Sequence, residues 1–500
     1  MKKRILAMLI TAVMAVSLAA CGGGSGGSGT ESDTFIYGMA GEITDFDPFS
    51  SGGTANSRTV TFNIFEGLVK VATDGTVKPA VAQNVDVNED ATVYTFTLRD
   101  GIKFHNGSEV TMDDVLYSVQ KAVDGGLTGY SEIASFEAVD EKTLVVTLNK
   151  TDAGFLDYFT QAIIPADSDD NGEMLLAPIG TGPYMFGEYE VAQQVTLKKF
   201  DEYWGEGGSI GEIVVKFLSD QNAQLTNFQS GAIDGFGGYG EMGEQINEEN
   251  ATITQTLSNM SQVLALNNAV KPFDDVRVRQ AVALAVDSHD VLDTINYGIG
   301  QVVGSPVPPA LTKYYMPELE DQYAKDNDAA KELLKDAGYP DGFTFTVRVP
   351  SNYPVHVHCA EKIVSQLAEV GIDMKIEQID WGTWLEKVYK GRDYEATMIS
   401  VDGATVSPTA FLARYVSDSK SNFMNYSSAA YDEAYAEALN ATDEASQIEA
   451  FKAVQQILAD DCPGVFIEDI GSLTVYTKQF EGYNSYPLTA MDFTAVHKAE

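Results

Sequence analysis

Phe343-Thr344-Phe345-Thr346-Val347-Arg348-Val349, Asp373-Met374-Lys375-Ile376-Glu377-Gln378-Ile379 and Glu395-Ala396-Thr397-Met398-Ile399-Ser400-Val401 are three strand-like runs. Helical patterns separate them, from Val355 to Val370 and from Trp381 to Lys390. Strand, helix, strand, helix, strand in strict alternation implies a parallel sheet covered by its helices, so this stretch sets the fold class as α/β. Helical periodicity continues upstream. Asp274 is expected to cap a helix with Val278, Val282 and Ala285 on one face and Arg277 and Arg279 off it, and Ala329, Ala330, Leu333, Leu334 and Ala337 form a second apolar stripe stopped by Gly338 and Pro340. Downstream come helices near Ala429 to Leu439 and Glu444 to Ala459 and a strand at Val465 to Ile470. The first half reads differently. A strand at Phe35-Ile36-Tyr37 and a helix ending near Phe65 precede a β-dominated stretch in which Val93 to Leu98 and Thr143 to Leu148 alternate as half-buried antiparallel strands. One helix interrupts them at Met112 to Val123, with Thr111 as its cap and Asp113 and Asp114 in the first turn. Gly180-Thr181-Gly182-Pro183-Tyr184 then opens strands at 184–190, 194–200 and 213–218.

The 500 residues suffice for two or three domains at about 150 residues each. Met1-Lys2-Lys3-Arg4, the apolar run Ile5 to Ala19 and the small residues before Cys21 make a secretory signal, too short to cross a bilayer at about 20 residues per span. The ending Leu18-Ala19-Ala20-Cys21 resembles the bacterial lipoprotein signal, which implies that Cys21 becomes the lipidated first residue. Residues 22–33 are a Gly/Ser-rich tether with an r.m.s. reach of about 20 Å. No later segment is long and apolar enough to span a membrane. With 32 basic against 73 acidic side chains and a net charge of −41, nucleic acid and anionic lipid surfaces are excluded as partners. The acids are dispersed, as solvated faces are, and none forms a calcium loop. Cys359 and Cys462, 102 positions apart with no local signature, are expected as free thiols.

Catalytic signals are absent. Gly23-Gly24-Ser25-Gly26-Gly27 matches the serine-hydrolase string, but it sits in the tether with no strand before it and no helix after it, so no nucleophile elbow can form. The five histidines, His105, His289, His356, His358 and His497, make no zinc motif. His356 and His358 point apart on a helix and are expected at the surface or in a cap. There is no phosphate-binding loop, and Gly235-Phe236-Gly237-Gly238-Tyr239-Gly240 is expected to be an ordinary loop, although its glycines could let a ligand reach the backbone. A secreted hydrolase is therefore the weaker reading, and capture of a solute between lobes the stronger.

Lys103-Phe104-His105-Asn106-Gly107-Ser108-Glu109-Val110-Thr111-Met112-Asp113-Asp114-Val115-Leu116-Tyr117-Ser118 resembles the signature of the family 5 extracellular solute-binding proteins, the peptide and nickel type of ABC importer receptor. Phe65-Glu66-Gly67-Leu68, Gly180-Thr181-Gly182-Pro183-Tyr184, Pro272 to Ala281 and Ala337 to Gly342 are similar to further family segments in the family's order. The resemblance implies a two-lobed periplasmic-binding-protein-like fold of class II, the large peptide-binder type, with an extra β-rich subdomain in the first lobe. Mapped here, 1–20 is the signal, 21–33 the lipidated Cys and linker, 34–68 with 178–269 and 474–500 lobe I, 69–177 the insert and 270–473 lobe II. In peptide-binding members the loop after the first strand faces the ligand, which implies Ser51, Gly52, Gly53 and Thr54; Thr54 could equally cap the helix that follows. Trp381 matches a ligand-side tryptophan, with core packing as the other reading. Peptide binders carry an Asp four residues before a proline to hold the peptide ammonium, whereas Ala404 holds that position before Pro408 here. Asp402 could serve instead or cap a turn with Gly403. Arg414 is a candidate partner for a ligand carboxylate, or for a surface acid. The expected function is an ABC-importer receptor for a di- or oligopeptide or peptide-like compound, with a metal chelate or another polar metabolite as the alternative. Its partners would be the ligand, a permease with its ATPase and, through the lipid alone, the membrane. The resemblance implies a monomer with no cofactor, no metal and no catalysis, on the outer face of the cytoplasmic membrane or in the periplasm of a bacterium.

Overall fold

The computed structural model describes residues 33–500 except 51–54, 128, 167, 170, 171, 239, 244, 403–405, 485 and 487–489. Cys21, Ser51, Gly52, Gly53, Thr54, Gly403 and Ala404 lie outside the described residues. Thr34–Glu500 is one compact unit. Its main sheet contains β1 (Thr34–Ala40), β2 (Tyr184–Glu190), β3 (Gln194–Lys199), β4 (Glu212–Leu218), β5 (Gly235–Gly238), β6 (Ala251–Leu266), β7 (Gly300–Val302), β8 (Thr344–Pro350), β9 (Asp373–Ile379), β10 (Ala396–Asp402) and β11 (Gly464–Thr477). Their order is β9-β8-β10-β6-β11-β5-β1-β4-β3-β2, with β7 on β11. As the alternation of strands and helices requires, β8 is parallel to both β9 and β10. At the other end β1 is parallel to β4 and β5. The two parallel groups meet only through antiparallel pairs: β6 with β10, β6 with β11, and β5 with β11.

A separate antiparallel sheet, in the order Ala82–Val87, Val93–Leu98, Thr143–Leu148, Ile133–Ala138, lies within the residues between β1 and β2. Its strands Val93–Leu98 and Thr143–Leu148 bury every second residue, as their alternation requires. The signature segment is structural. Thr111 and Asp114 form a reciprocal capping box on helix Met112–Asp124, and Asp114 also accepts from Ala166 N at 2.7 Å. His105 is held between the carbonyl of Gly182 (3.0 Å from Nε2) and the N–H of Gly180, and burial pushes its pKa down to about 4. That leaves a neutral ring bracing the glycine-rich turn.

Several expectations are corrected. Asp275, not Asp274, caps helix Val276–Ala285. Arg279 on that helix is buried, because its guanidinium donates to the carbonyls of Phe273, Asp461 and Cys462 at 2.7 to 2.9 Å. It thereby satisfies the last carbonyls of helix Glu444–Asp461, where a cation is favoured. The glycine run expected as a loop supplies β5, near the middle of the sheet. A Cβ at Gly235 would meet the ring of Tyr476 at 2.6 Å and that of Phe35 at 2.9 Å, so the glycines here admit neighbouring aromatic rings. Cys359 and Cys462 are both buried and unpaired.

Candidate ligand-binding site

Ligands of open α/β sheets gather at the carboxyl ends of parallel strands. Here three side chains emerge at that edge: Tyr353 just beyond β8, Trp381 just beyond β9, and Asp402 as the last residue of β10. Asp380 starts the turn after β9 by accepting from Thr383 N and Oγ1 at 3.0 and 2.6 Å. Trp381 then stacks on Trp384, with ring centres 4.9 Å apart and planes at 4°, and takes the edge of Tyr353 at 5.6 Å. Trp384 is buried and fixed. Its Nε1 donates to Thr397 Oγ1 at 2.9 Å, and that hydroxyl donates to Arg348 O on β8 at 2.6 Å. Residues 384–390 form a π-helix, a wide turn frequent at functional sites. Trp381 itself remains 37% exposed, so it is a surface platform held on an immobile ring rather than a core residue.

Asp402 is exposed, and its carboxylate has no hydrogen bond or ion pair among the described residues. Arg414 lies in the turn Ala413–Tyr415 and donates from Nη2 to the backbone oxygen of Asp402 at 2.9 Å. Arg414 Nε is buried with no partner, and among the described residues no surface acid forms an ion pair with this guanidinium. Of the expected ligand residues within the described chain, Asp402 and Arg414 are brought together by this bond, while Trp381 sits at the same strand edge two strands away.

A further group comes from α1 (Ala55–Ile64). Arg58 on this helix is partly buried; its Nε is buried and unpartnered, and the acid whose charge it feels is Asp402. Burial holds its pKa below the ordinary guanidinium value against that attraction. One turn on, Phe62 meets the ring of Tyr486 edge-on at 4.9 Å. The Tyr486 carbonyl accepts from Asn259 Nδ2 at 3.4 Å. Asn259 is buried in a left-handed conformation (φ 58°), at an irregularity of β6 beside Met260, the residue paired with Asp402. Its Oδ1 is a buried acceptor with no donor. The sequence reading missed Arg58, Phe62, Asn259 and Tyr486. A lone Arg on a helix carries no motif, so no signal in the sequence singles out Arg58.

His356 was expected near the surface and is instead buried in helix Pro354–Ala368, where Gln262 Nε2 donates to its Nδ1 at 2.8 Å. The amide partner makes burial of the neutral ring tolerable, and burial pushes its pKa down to about 4. His358, two residues on, is exposed. Among the described residues no group of His, Cys, Asp and Glu could hold a metal ion, and no helix is long and apolar enough to cross a membrane.

Residues 76–423 match the family model described as bacterial extracellular solute-binding proteins, family 5 middle. The chain is 26% identical over 538 residues to heme-binding protein A of Haemophilus influenzae, covering 97% of both chains. It is 26% identical to the dipeptide-binding protein of Escherichia coli, covering 93% of this chain and 95% of that one. Among solved structures, the periplasmic binding protein DppA of Helicobacter pylori in complex with the peptide STSA is similar at a TM-score of 0.77 and 26% identity, over 93% of this chain and 98% of that one.

Proposed function

Since the chain belongs to the bacterial extracellular solute-binding proteins of family 5, we propose that it captures a di- or oligopeptide between two lobes and passes it to an ABC permease and its ATPase. Residues 34–68, 178–269 and 474–500 make one lobe and 270–473 the other, with 69–177 as an insert on the first. One observation carries the peptide reading: the unpaired carboxylate of Asp402, at the carboxyl end of the parallel strands and on the same edge as the Trp381 platform. An ammonium taken out of water needs such a partner, and Asp402 supplies it two residues before the position where peptide binders carry theirs. The peptide names of relatives agree with this. A solute touching both lobes binds the closed form better than the open one, so it shifts the population toward the state a permease would recognise. Lipidation at Cys21 would hold the receptor beside that permease as a monomer. Mass spectrometry of the mature N-terminus is expected to find a diacylglyceryl cysteine.

Calorimetric titration with di- and tripeptides tests the ligand. Saturable binding is expected, and Asp402→Asn should weaken it about ten- to hundredfold, the range for a hydrogen bond to a charged group. Full affinity in that variant would remove Asp402 from the site. Failure of every peptide to bind, together with release of a metal chelate or another metabolite on denaturing the purified protein, would overturn the peptide reading.

A further inference from the structure

We infer that Arg58 is the anion-binding residue of the solute site, and that the solute must therefore present a free carboxylate to helix α1; the inference rests on the receptor reading above. Seven arginines lie in the described chain. Arg277 and Arg348 bind carboxylates, Arg279 and Arg392 bind carbonyl oxygens, and Arg99 donates to Ala80 O while lying over Trp204. Arg58 has no such partner among the described residues, and its buried Nε is left without an acceptor. A partly buried guanidinium is costly to leave so. The one acid whose charge reaches it is Asp402, which forms no ion pair with it among the described residues.

The surroundings show what would satisfy it. Arg58 and Phe62 share one face of α1, and through Phe62, Tyr486 and Asn259 that face meets the ends of β6 and β10. Four unsatisfied groups therefore collect from two parts of the chain. Asp402 and Asn259 Oδ1 are acceptors; Arg58 and the Nε of Arg414 are donors. Two acceptors and two cationic donors complement a zwitterion, whose ammonium meets the first pair and whose carboxylate meets the second. Because Arg58 comes from α1 and Asp402 and Arg414 come from β10 and the turn after it, the bound zwitterion draws the two elements together. A solute lacking the acid group would engage only one side.

The experiment titrates the full chain with trialanine, trialanine amide and N-acetyl-trialanine, using the unsubstituted protein, Arg58→Gln and Arg58→Lys. Trialanine should bind about ten- to hundredfold more tightly than its amide. Arg58→Gln should lose that preference with no fall in melting temperature of the unliganded protein, because no intramolecular bond is removed. Arg58→Lys should recover part of it, keeping the charge without the fork. Equal binding of acid and amide, or an Arg58→Gln variant that still prefers the acid, overturns the inference while leaving the peptide reading intact. If none of the three peptides binds, the peptide reading fails by itself, and melting temperature in succinate against chloride at equal ionic strength decides the anion site. A rise that Arg58→Gln abolishes sustains the site, and no rise overturns it.

Discussion

Glu468 on β11 is fully buried, and one of its carboxyl oxygens accepts from Asn296 Nδ2 at 2.6 Å. The other oxygen has no donor. Gln262, paired across from it on β6, likewise has a buried amide oxygen with no donor. A protonated carboxyl would bring an O–H to this acceptor-rich corner, and burial with the charge of Asp469 nearby pushes the pKa of Glu468 up to about 7. The unfolded chain, with an ordinary carboxyl near 4.5, binds fewer protons between these values, so stability falls as pH rises from 4.5 to about 7. The loss from this group is on the order of 3 kcal/mol. Urea unfolding of Glu468→Gln across pH 4.5 to 7.5 should lack that part of the slope; an unchanged slope would assign it to other acids.

Helix α1 carries Arg58, and its last turn is fixed by the turn at Gly180 and Gly182. A Cβ on Gly180 would run into the Ile64 carbonyl, and one on Gly182 into that of Asn63, while Gly182 N donates to Ile64 O at 2.9 Å. Gly182→Ala must push the helix end away from the turn. A cost of about 1 to 3 kcal/mol follows from overpacking of this kind. Thermal unfolding should register it as a lower melting temperature, with weaker solute binding because Arg58 moves with the helix; unchanged values for both would uncouple the turn from the site. The order of strands and helices from β8 to β10 was legible in the sequence from strand-forming runs set off by helical periods, although only β8 alternates in burial, while Trp381 and Asp402 at their ends were named through the family resemblance. β5 was illegible because Gly235, Gly237 and Gly238 have no side chains to alternate; the rings of Phe35 and Tyr476 crowd Gly235, the Tyr37 hydroxyl Gly237 and the Met242 sulfur Gly238. His356 and Arg279 were read outward from their polarity, which fails wherever an amide or a row of carbonyls waits inside. Arg58 was invisible for a related reason: its significance lies in the partners it lacks, and only coordinates show that.

The whole molecule, at −41, would surround the proposed site and its two arginines with a strongly negative field. Association of an acidic peptide should therefore quicken severalfold when ionic strength rises from about 0.01 to 0.15 M, while that of a basic peptide slows, as screening shortens the reach of the field. Stopped-flow tryptophan fluorescence would measure both; equal responses would mean the site is shielded from the net charge. The order of strands has a consequence of another kind, for assembly. β11 is the last strand of the main sheet to emerge from the ribosome, yet it fits between β5 and β6, near the centre. Without it the sheet falls into two, β9-β8-β10-β6 and β5-β1-β4-β3-β2, each with a bare edge facing where the other should be. Folding thus ends by inserting a strand encoded more than 400 residues after the first, a long-range pairing of the slow kind. Until residues 464–477 arrive, the edges of β5 and β6 are open templates for other chains, and a product truncated before Gly464 is expected to aggregate rather than fold by halves.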